Sequence, residues 1–238
     1  MPLMTSHIRR QRRVRRWHRG IAMLTSVQLL LWTLSGVYFS FVDIDYVRGH
    51  HYEAEAPSRL FDLSALQKIR LSGQRMTILE RLPGELIIGV RSEGGMSWRD
   101  AQGNALGYLS SAEALDLARQ RTTLDPNVVE WVERGTRGSE YRGAPLPLWR
   151  AFSADTPAEV AYINASSGEL VAVRHEAWRW WDFLWSLHIM SYSDRDTIGT
   201  WLLKCFSLLA LGTAVMGVWL FAATSRLPDR QKNTSTQT

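Results

Sequence analysis

The chain has 238 residues, of which 45% are hydrophobic and 21% charged, and its formal net charge is +5. Positive charge is concentrated at the two ends: residues 1–19 contain seven arginines and no acidic residue, and three basic residues and one acidic residue follow Ser225, so the remainder is net negative. Because this charge flanks apolar segments, a membrane accounts for it, and we expect no nucleic-acid partner. The single cysteine, Cys205, excludes an intrachain disulfide framework.

Two apolar segments lie next to the basic ends. Residues 20–42 contain no charged residue and residues 199–224 contain only Lys204, so each is longer than the ~20 residues that cross the hydrocarbon of a bilayer. The first is also longer than the apolar region of a signal peptide, roughly 7–15 residues, which favours an anchor. Since positive flanks mark the cytoplasmic side, two spans predict a cytoplasmic N-terminus (1–19), a cytoplasmic tail (225–238) and an outer segment (43–198).

The outer segment reads as two α+β units in tandem, residues 43–109 and 110–176, followed by an interfacial, tryptophan-rich amphipathic helix over 177–198. Each unit is predicted to open with a short helix, the first capped by Asp62 or Ser64 and the second by Ser110 or Ser111. Turn residues such as Pro83-Gly84 then separate the strands of antiparallel hairpins. The predicted strands are residues 76–81, 86–91, 96–100, 128–134, 148–153, 160–164 and 170–174.

Three stretches of the second unit carry a resemblance to a known family. Ser111-Ala-Glu-Ala, Leu146-Pro-Leu-Trp-Arg-Ala-Phe and Tyr162-Ile-Asn-Ala-Ser-Ser-Gly-Glu-Leu together resemble a PepSY domain. The flanks Arg16-Trp17-His18-Arg19-Gly20 and Trp181-Asp182-Phe-Leu-Trp-Ser-Leu-His188 resemble the helices of the PepSY-associated transmembrane family. The resemblance implies a bacterial inner-membrane protein whose periplasmic domain acts as an accessory or regulatory module for a protein partner.

The same sequence offers no machinery for a self-contained enzyme. It contains no Gly-x-Ser-x-Gly elbow and no glycine-rich phosphate loop after a strand, and His175-Glu176 lacks the second histidine of a zinc protease motif. We therefore expect a binding module rather than an enzyme that acts through its own side chains.

Two histidines at the membrane boundaries, His18 and His188, are candidate ligands of haem b. On a helix over residues 179–193, His188 lies opposite a polar stripe that includes Asp182 and Ser186, and His18 continues a stripe of mostly small residues along the first span. The two lie about 30 Å apart across a bilayer, so a haem would need the same histidine from two chains of a homodimer. The resemblance adds that larger relatives include haem-bearing reductases of siderophore-bound iron. The alternative is that both are membrane-interface residues.

His50-His51, with Glu53 and Glu55, is a candidate site for a divalent metal, and the alternative is an exposed linker. Three hypotheses therefore remain for the chain. It is an accessory module for a protein partner, a small haem-binding redox component, or a structural or assembly protein of the membrane.

Overall fold

A computed structural model describes residues 2–55, 57, 59–61, 72–136, 138–192, 195 and 197–225. The side chains of residues 2–18 and 219–225 lie outside this description, as do the helix predicted from Asp62 and the tail 226–238. The fold is α+β, and the described part contains five α-helices and two antiparallel sheets. It divides into two units, the first formed by residues 1–38, 185–192 and 197–238, and the second by residues 39–184 and 193–196.

The first unit contains most of helix α1 (Pro2–Phe41) and all of helix α5 (Trp201–Ser225). Both are long and apolar enough to cross a membrane, over Arg19–Phe41 and Trp201–Val218. These segments match the predicted spans apart from their ends, since α1 stops before Val42 and α5 begins after Gly199. The chain therefore carries two candidate transmembrane helices.

The first unit is apolar on its outside and polar within. Leu30 and Leu34 of α1 are exposed, whereas Thr25, Gln28 and Ser35 are buried. Burying hydroxyl and amide groups while exposing leucine is the reverse of the pattern in a water-soluble helix. The buried face lies beside the predicted small-residue stripe, in which Thr25 is buried but Leu29 and Ser40 are exposed.

The second unit begins with a short helix, α2 (Ile44–Arg48), a 3-10 turn (His50–Tyr52) and a three-stranded meander. Its strands are β1 (Arg75–Glu80), β2 (Leu86–Ser92) and β3 (Gly95–Asp100), as predicted to within a residue at each end. The β1–β2 turn places Pro83 and Gly84 centrally, with Gly84 at φ +83° and the Glu85 amide donating to Leu82 O, as in a type II turn.

The second half of this unit places helix α3 (Ser111–Arg121) before a four-stranded meander. Its strands are β4 (Val128–Val132), β5 (Leu148–Phe152), β6 (Val160–Asn164) and β7 (Leu170–Arg174). Ser110 accepts a hydrogen bond from the Glu113 amide while Glu113 accepts from Ser110, which is the predicted capping box.

Alternation along β5 and β6 gives the four-stranded sheet two apolar faces. On one face, Ala151 and Ile163 belong to a buried cluster with Leu117 of α3. On the other, Leu148 and Tyr162 pack with Tyr141 from the long β4–β5 loop. The sheet is therefore covered by a helix on one side and by a loop on the other.

Helix α4 (Glu176–His188) corrects the predicted interfacial helix, which was placed over residues 177–198. It ends at His188 because Met190 adopts φ +52° and the Ser191 amide donates to Ser186 O, the geometry of a Schellman motif. The helical periodicity used for residues up to 193 is therefore wrong beyond His188. No glycine or proline signals this end in the sequence.

Candidate functional site

His188, one of the two predicted haem ligands, is the last residue of α4, and its ring forms a hydrogen bond with Ser35 of α1. Ser35 Oγ lies 2.8 Å from His188 Nδ1, and it also lies 2.8 Å from Leu31 O and 3.1 Å from Trp32 O. The carbonyls can only accept, whereas the direction of the Ser35–His188 hydrogen bond depends on which ring nitrogen of His188 carries the proton.

Two further contacts fix the position of His188. Trp32 Nε1 donates to His188 O at 2.7 Å, and the ring of Trp185 lies parallel to the imidazole at 6.2 Å between centroids. The other predicted ligand, His18, lies on α1, and its side chain is outside the described residues. The structure therefore describes one candidate axial ligand together with its supporting hydrogen bond.

The side chains of His50 and His51, the predicted metal ligands, contact different groups. His50 lies 3.3 Å from Asp45 and 3.9 Å from Glu53, whereas His51 stacks on Tyr46 with ring centroids 4.6 Å apart. Among the residues that the structure describes, no three His, Cys, Asp or Glu side chains form a group that could hold a metal ion.

His175, which the sequence analysis considered only as part of a failed protease motif, lies at the centre of an aromatic cluster. Its Nε2 lies 3.0 Å from Tyr46 O and 3.1 Å from Val47 O, and its ring meets His51 edge-on. Because both oxygens are acceptors, Nε2 carries a proton and donates. Burial is the main cause that lowers the pKa of His175, with the charges of His51 and Arg179 acting in the same direction. This bond ties α2 to the junction between β7 and α4.

Tyr52, in the same cluster, donates its hydroxyl to Glu159 at 2.9 Å. Burial and this hydrogen bond raise the pKa of Tyr52 to about 12. The phenol therefore stays protonated at physiological pH and acts as a fixed donor.

The polar face of α4 is buried against arginines from two loops. Asp182, 1% exposed, contacts Arg142 of the β4–β5 loop and Arg195 of the segment after α4. The guanidinium groups of Arg142 and Arg174 lie 5.5 and 4.4 Å from the ring of Trp178. The carboxylate predicted to lie on a polar stripe is thus the most buried charge of the helix.

An exposed aromatic row crosses the four-stranded sheet at β4. Tyr108 meets Trp131 edge-to-face at 5.4 Å, and Trp131 meets Trp149 at 4.9 Å. Trp149 Nε1 donates to Leu109 O at 3.0 Å, so the inner end of the row is fixed. Tyr108 is 62% exposed and Trp131 40%. β4 is an edge strand, since β5 is its only strand partner in the described part of the chain.

A cavity of about 350 Å³ in the second unit is lined by the segment after the 3-10 turn, the end of β1 and its following turn, α3, and Leu170 of β7. It combines apolar side chains, among them Leu82, Leu117 and Leu170, with the guanidinium groups of Arg59 and Arg121. Sequence reasoning missed it because its lining comes from four separate segments of the chain.

No family model, curated protein or solved structure matches this chain. The assignment of a function therefore depends on the residues and geometry described above.

Proposed function

We propose that the chain is a bacterial inner-membrane protein of the PepSY-associated type, anchored by α1 and α5, whose periplasmic unit binds a protein partner as an accessory or regulatory module. The aromatic row of Tyr108, Trp131 and Trp149 is the observation that carries the proposal. Tyrosine and tryptophan are enriched in protein interfaces, where they bury large areas at low entropic cost. An edge strand beside them offers backbone donors and acceptors to an extended segment of a partner.

The anchoring part of the proposal is supported by the exposed apolar side chains of both long helices. In α5, Leu208, Leu211, Val215 and Val218 are all more than half exposed. Apolar surface of this extent needs lipid around it. Reporter fusions at residue 100 and at the C-terminus test the orientation: the proposal expects a periplasmic signal at residue 100 and a cytoplasmic one at the end.

Site-specific photocrosslinking in cells tests the partner-binding surface in the full-length protein. A photoreactive amino acid at Tyr108 is expected to give a discrete crosslinked product. The matched control is Met76, which is 61% exposed against 62% for Tyr108 and lies on β1, in the other sheet of the same unit. The Tyr108 product should disappear when Trp131→Ser is added. Equal products at both positions, or none at Tyr108, would refute the surface.

A haem-binding redox role is the second candidate, and the Ser35–His188 hydrogen bond is the observation that favours it. Histidines that ligate metals usually form a hydrogen bond to a neighbouring group through their other ring nitrogen, and Nδ1 of His188 lies 2.8 Å from Ser35 Oγ. His188 would hold the iron of haem b through Nε2, and the haem would supply one-electron chemistry. His188 is the one histidine of the first unit whose side chain the structure describes, so a site with two histidine ligands would take the second from His188 of another copy.

The visible spectrum of the purified full-length protein, oxidised and dithionite-reduced, tests this role. A Soret band that His188→Ala removes would support it, with His18→Ala as the comparison. A colourless preparation from haem-replete cells would exclude it. Survival of the band in both variants would remove the ligand assignment. The structural or assembly hypothesis gains no particular support from the geometry.

A further inference from the structure

Two arginines line this cavity, and among the described residues Arg59 is in an ion pair whereas Arg121 is not. Arg59 Nη1 lies 2.7 Å from Glu80 Oε1, and Glu80 also accepts from the Gly84 amide at 2.6 Å. The Gly84 amide, with the Arg59 charge and hydrogen bond, holds the pKa of Glu80 below its usual value. The carboxylate of Glu80 is therefore ionised and already occupied by Arg59.

Arg121, the last residue of α3, is held differently. Its Nη2 donates to Glu80 O at 3.0 Å and Arg81 O at 3.2 Å, which fixes the guanidinium plane. No ion pair within the described part of the chain includes Arg121, and its Nε and Nη1 make no hydrogen bond there. Burial lowers the pKa of this arginine, and the more distant Glu169 and Glu80 oppose that shift. Arginine keeps its charge even so.

The remaining lining gives the cavity its apolar side. Leu117 is 2% exposed and belongs to the core cluster, against which Leu82 and Leu170 also pack. The volume of about 350 Å³ lies at the lower end of the range for small-molecule sites, roughly 300–1,000 Å³. A guanidinium with accessible N–H groups beside an apolar wall fits a ligand with one anionic end and one apolar end.

The end of α3 does not oppose an anion strongly, although helix C-termini carry partial negative charge. The Arg121 carbonyl accepts from the Ala54 amide at 2.9 Å and the Ala118 carbonyl from the Thr122 amide at 3.1 Å. These bonds satisfy two of the carbonyls in the last turn of α3.

We propose that this cavity binds a carboxylate attached to a short branched apolar group, with the carboxylate on Arg121 and the apolar group against Leu82, Leu117 and Leu170. The N–H groups of Arg121 that Glu80 O and Arg81 O do not occupy, on Nε and Nη1, would donate to the carboxylate. Phosphate suits the site less, because its second charge would face Glu53 and Glu80 with no further unpaired cation among the described residues that line the cavity. The site is separate from the aromatic row and does not depend on the proposed partner function.

Two sources supply this chemistry: a free short-chain acid and the C-terminal carboxyl group of a peptide. Calorimetric titration of the full-length protein in detergent with three probes distinguishes them. 4-Methylpentanoate represents the free acid, N-acetyl-L-leucine the peptide end, and N-acetyl-L-leucinamide is the matched control without a carboxylate. We expect at least one carboxylate to bind and the amide to bind at least tenfold more weakly. The tighter carboxylate identifies the source.

Variants test the assigned residue. Arg121→Gln should weaken carboxylate binding at least tenfold, whereas Arg59→Gln, which removes the cavity arginine already paired with Glu80, should change it less than threefold. Thermal unfolding of each variant checks that it folds. If Arg121→Gln does not fold, the comparison of the three probes in the unaltered protein still tests the proposal. Absence of binding by both acids at 10-millimolar order, equal binding of acid and amide, or equal losses in the two variants would overturn the proposal.

Discussion

Substitution of Asp182 tests whether its buried ion pairs stabilise the second unit. Its carboxylate is 1% exposed and contacts Arg142 and Arg195, whose side chains are 17% and 37% exposed. Asp182→Asn keeps the shape but removes the charge, leaving two arginines beside a neutral amide in a largely dry site. Breaking a buried ion pair from one side costs about 3–5 kcal/mol. Because water can reach Arg195, we expect the lower value, about 3 kcal/mol.

The assay is thermal unfolding of the full-length protein in lipid nanodiscs, followed by tryptophan fluorescence. For a unit of this size, about 3 kcal/mol corresponds to a fall in Tm of roughly 6–12 °C. The matched control is Glu130→Gln, which breaks the 2.8 Å ion pair between Glu130 and Arg150. The side chain of Glu130 is 53% exposed. Such surface pairs contribute about 0–1 kcal/mol. If the two variants lowered Tm equally, the buried network would not stabilise the unit as argued.

Three further changes test local features of the same unit. Ser110→Ala removes the capping box of α3 and should cost about 1 kcal/mol in the same unfolding assay. Gly168→Ala should cost about 1–3 kcal/mol there, because Gly168 has φ +74° and an added Cβ would lie 2.9 Å from Arg81 O; no change in Tm would contradict this reasoning. His175 has a pKa lowered by burial from 6.5, so the folded state takes up its proton at lower pH than the unfolded state, and stability should fall as the pH drops below about 6.5. His175→Gln should reduce that loss between about pH 7 and 5, measured by the same unfolding assay across this pH range.

The elements of the second unit were predictable because their signals are local. Ser110 and Glu113 are three residues apart and satisfy each other, so the cap of α3 needs no distant partner. Pro83-Gly84 likewise fixes the β1–β2 turn through the dihedral angles that those two residues prefer. Strand positions followed from β-branched and aromatic runs between such turns.

The site residues were not predictable in the same way, because their partners are distant in the sequence. His175 donates to the carbonyls of Tyr46 and Val47, almost 130 positions earlier. Arg121 reaches the carbonyl of Glu80 across 41 positions. A hydrogen bond to a backbone carbonyl depends on the path of the chain and not on the identity of the residue that accepts. The sequence therefore has no pattern that would reveal it.

Helix α4 shows where helical periodicity stops being informative. The roughly 3.6-residue periodicity correctly placed Asp182 and Ser186 on one face of the helix. Both side chains are buried, at 1% and 5% exposure. A helix face with several polar residues is usually exposed to solvent. Here that face is buried, because Arg142 and Arg195 from two loops cover it. The opposite side leaves Trp180 61% exposed.

Both loop arginines have positive φ, 44° at Arg142 and 50° at Arg195, which residues with a Cβ rarely adopt. Such conformations persist only where the surroundings compensate their cost. The ion pairs with Asp182 contribute to that compensation, because this one carboxylate contacts arginines from both loops. An exposed face of tryptophan and phenylalanine suits the interface of a bilayer. The buried charge of α4 and its exposed aromatic side are therefore two parts of one arrangement.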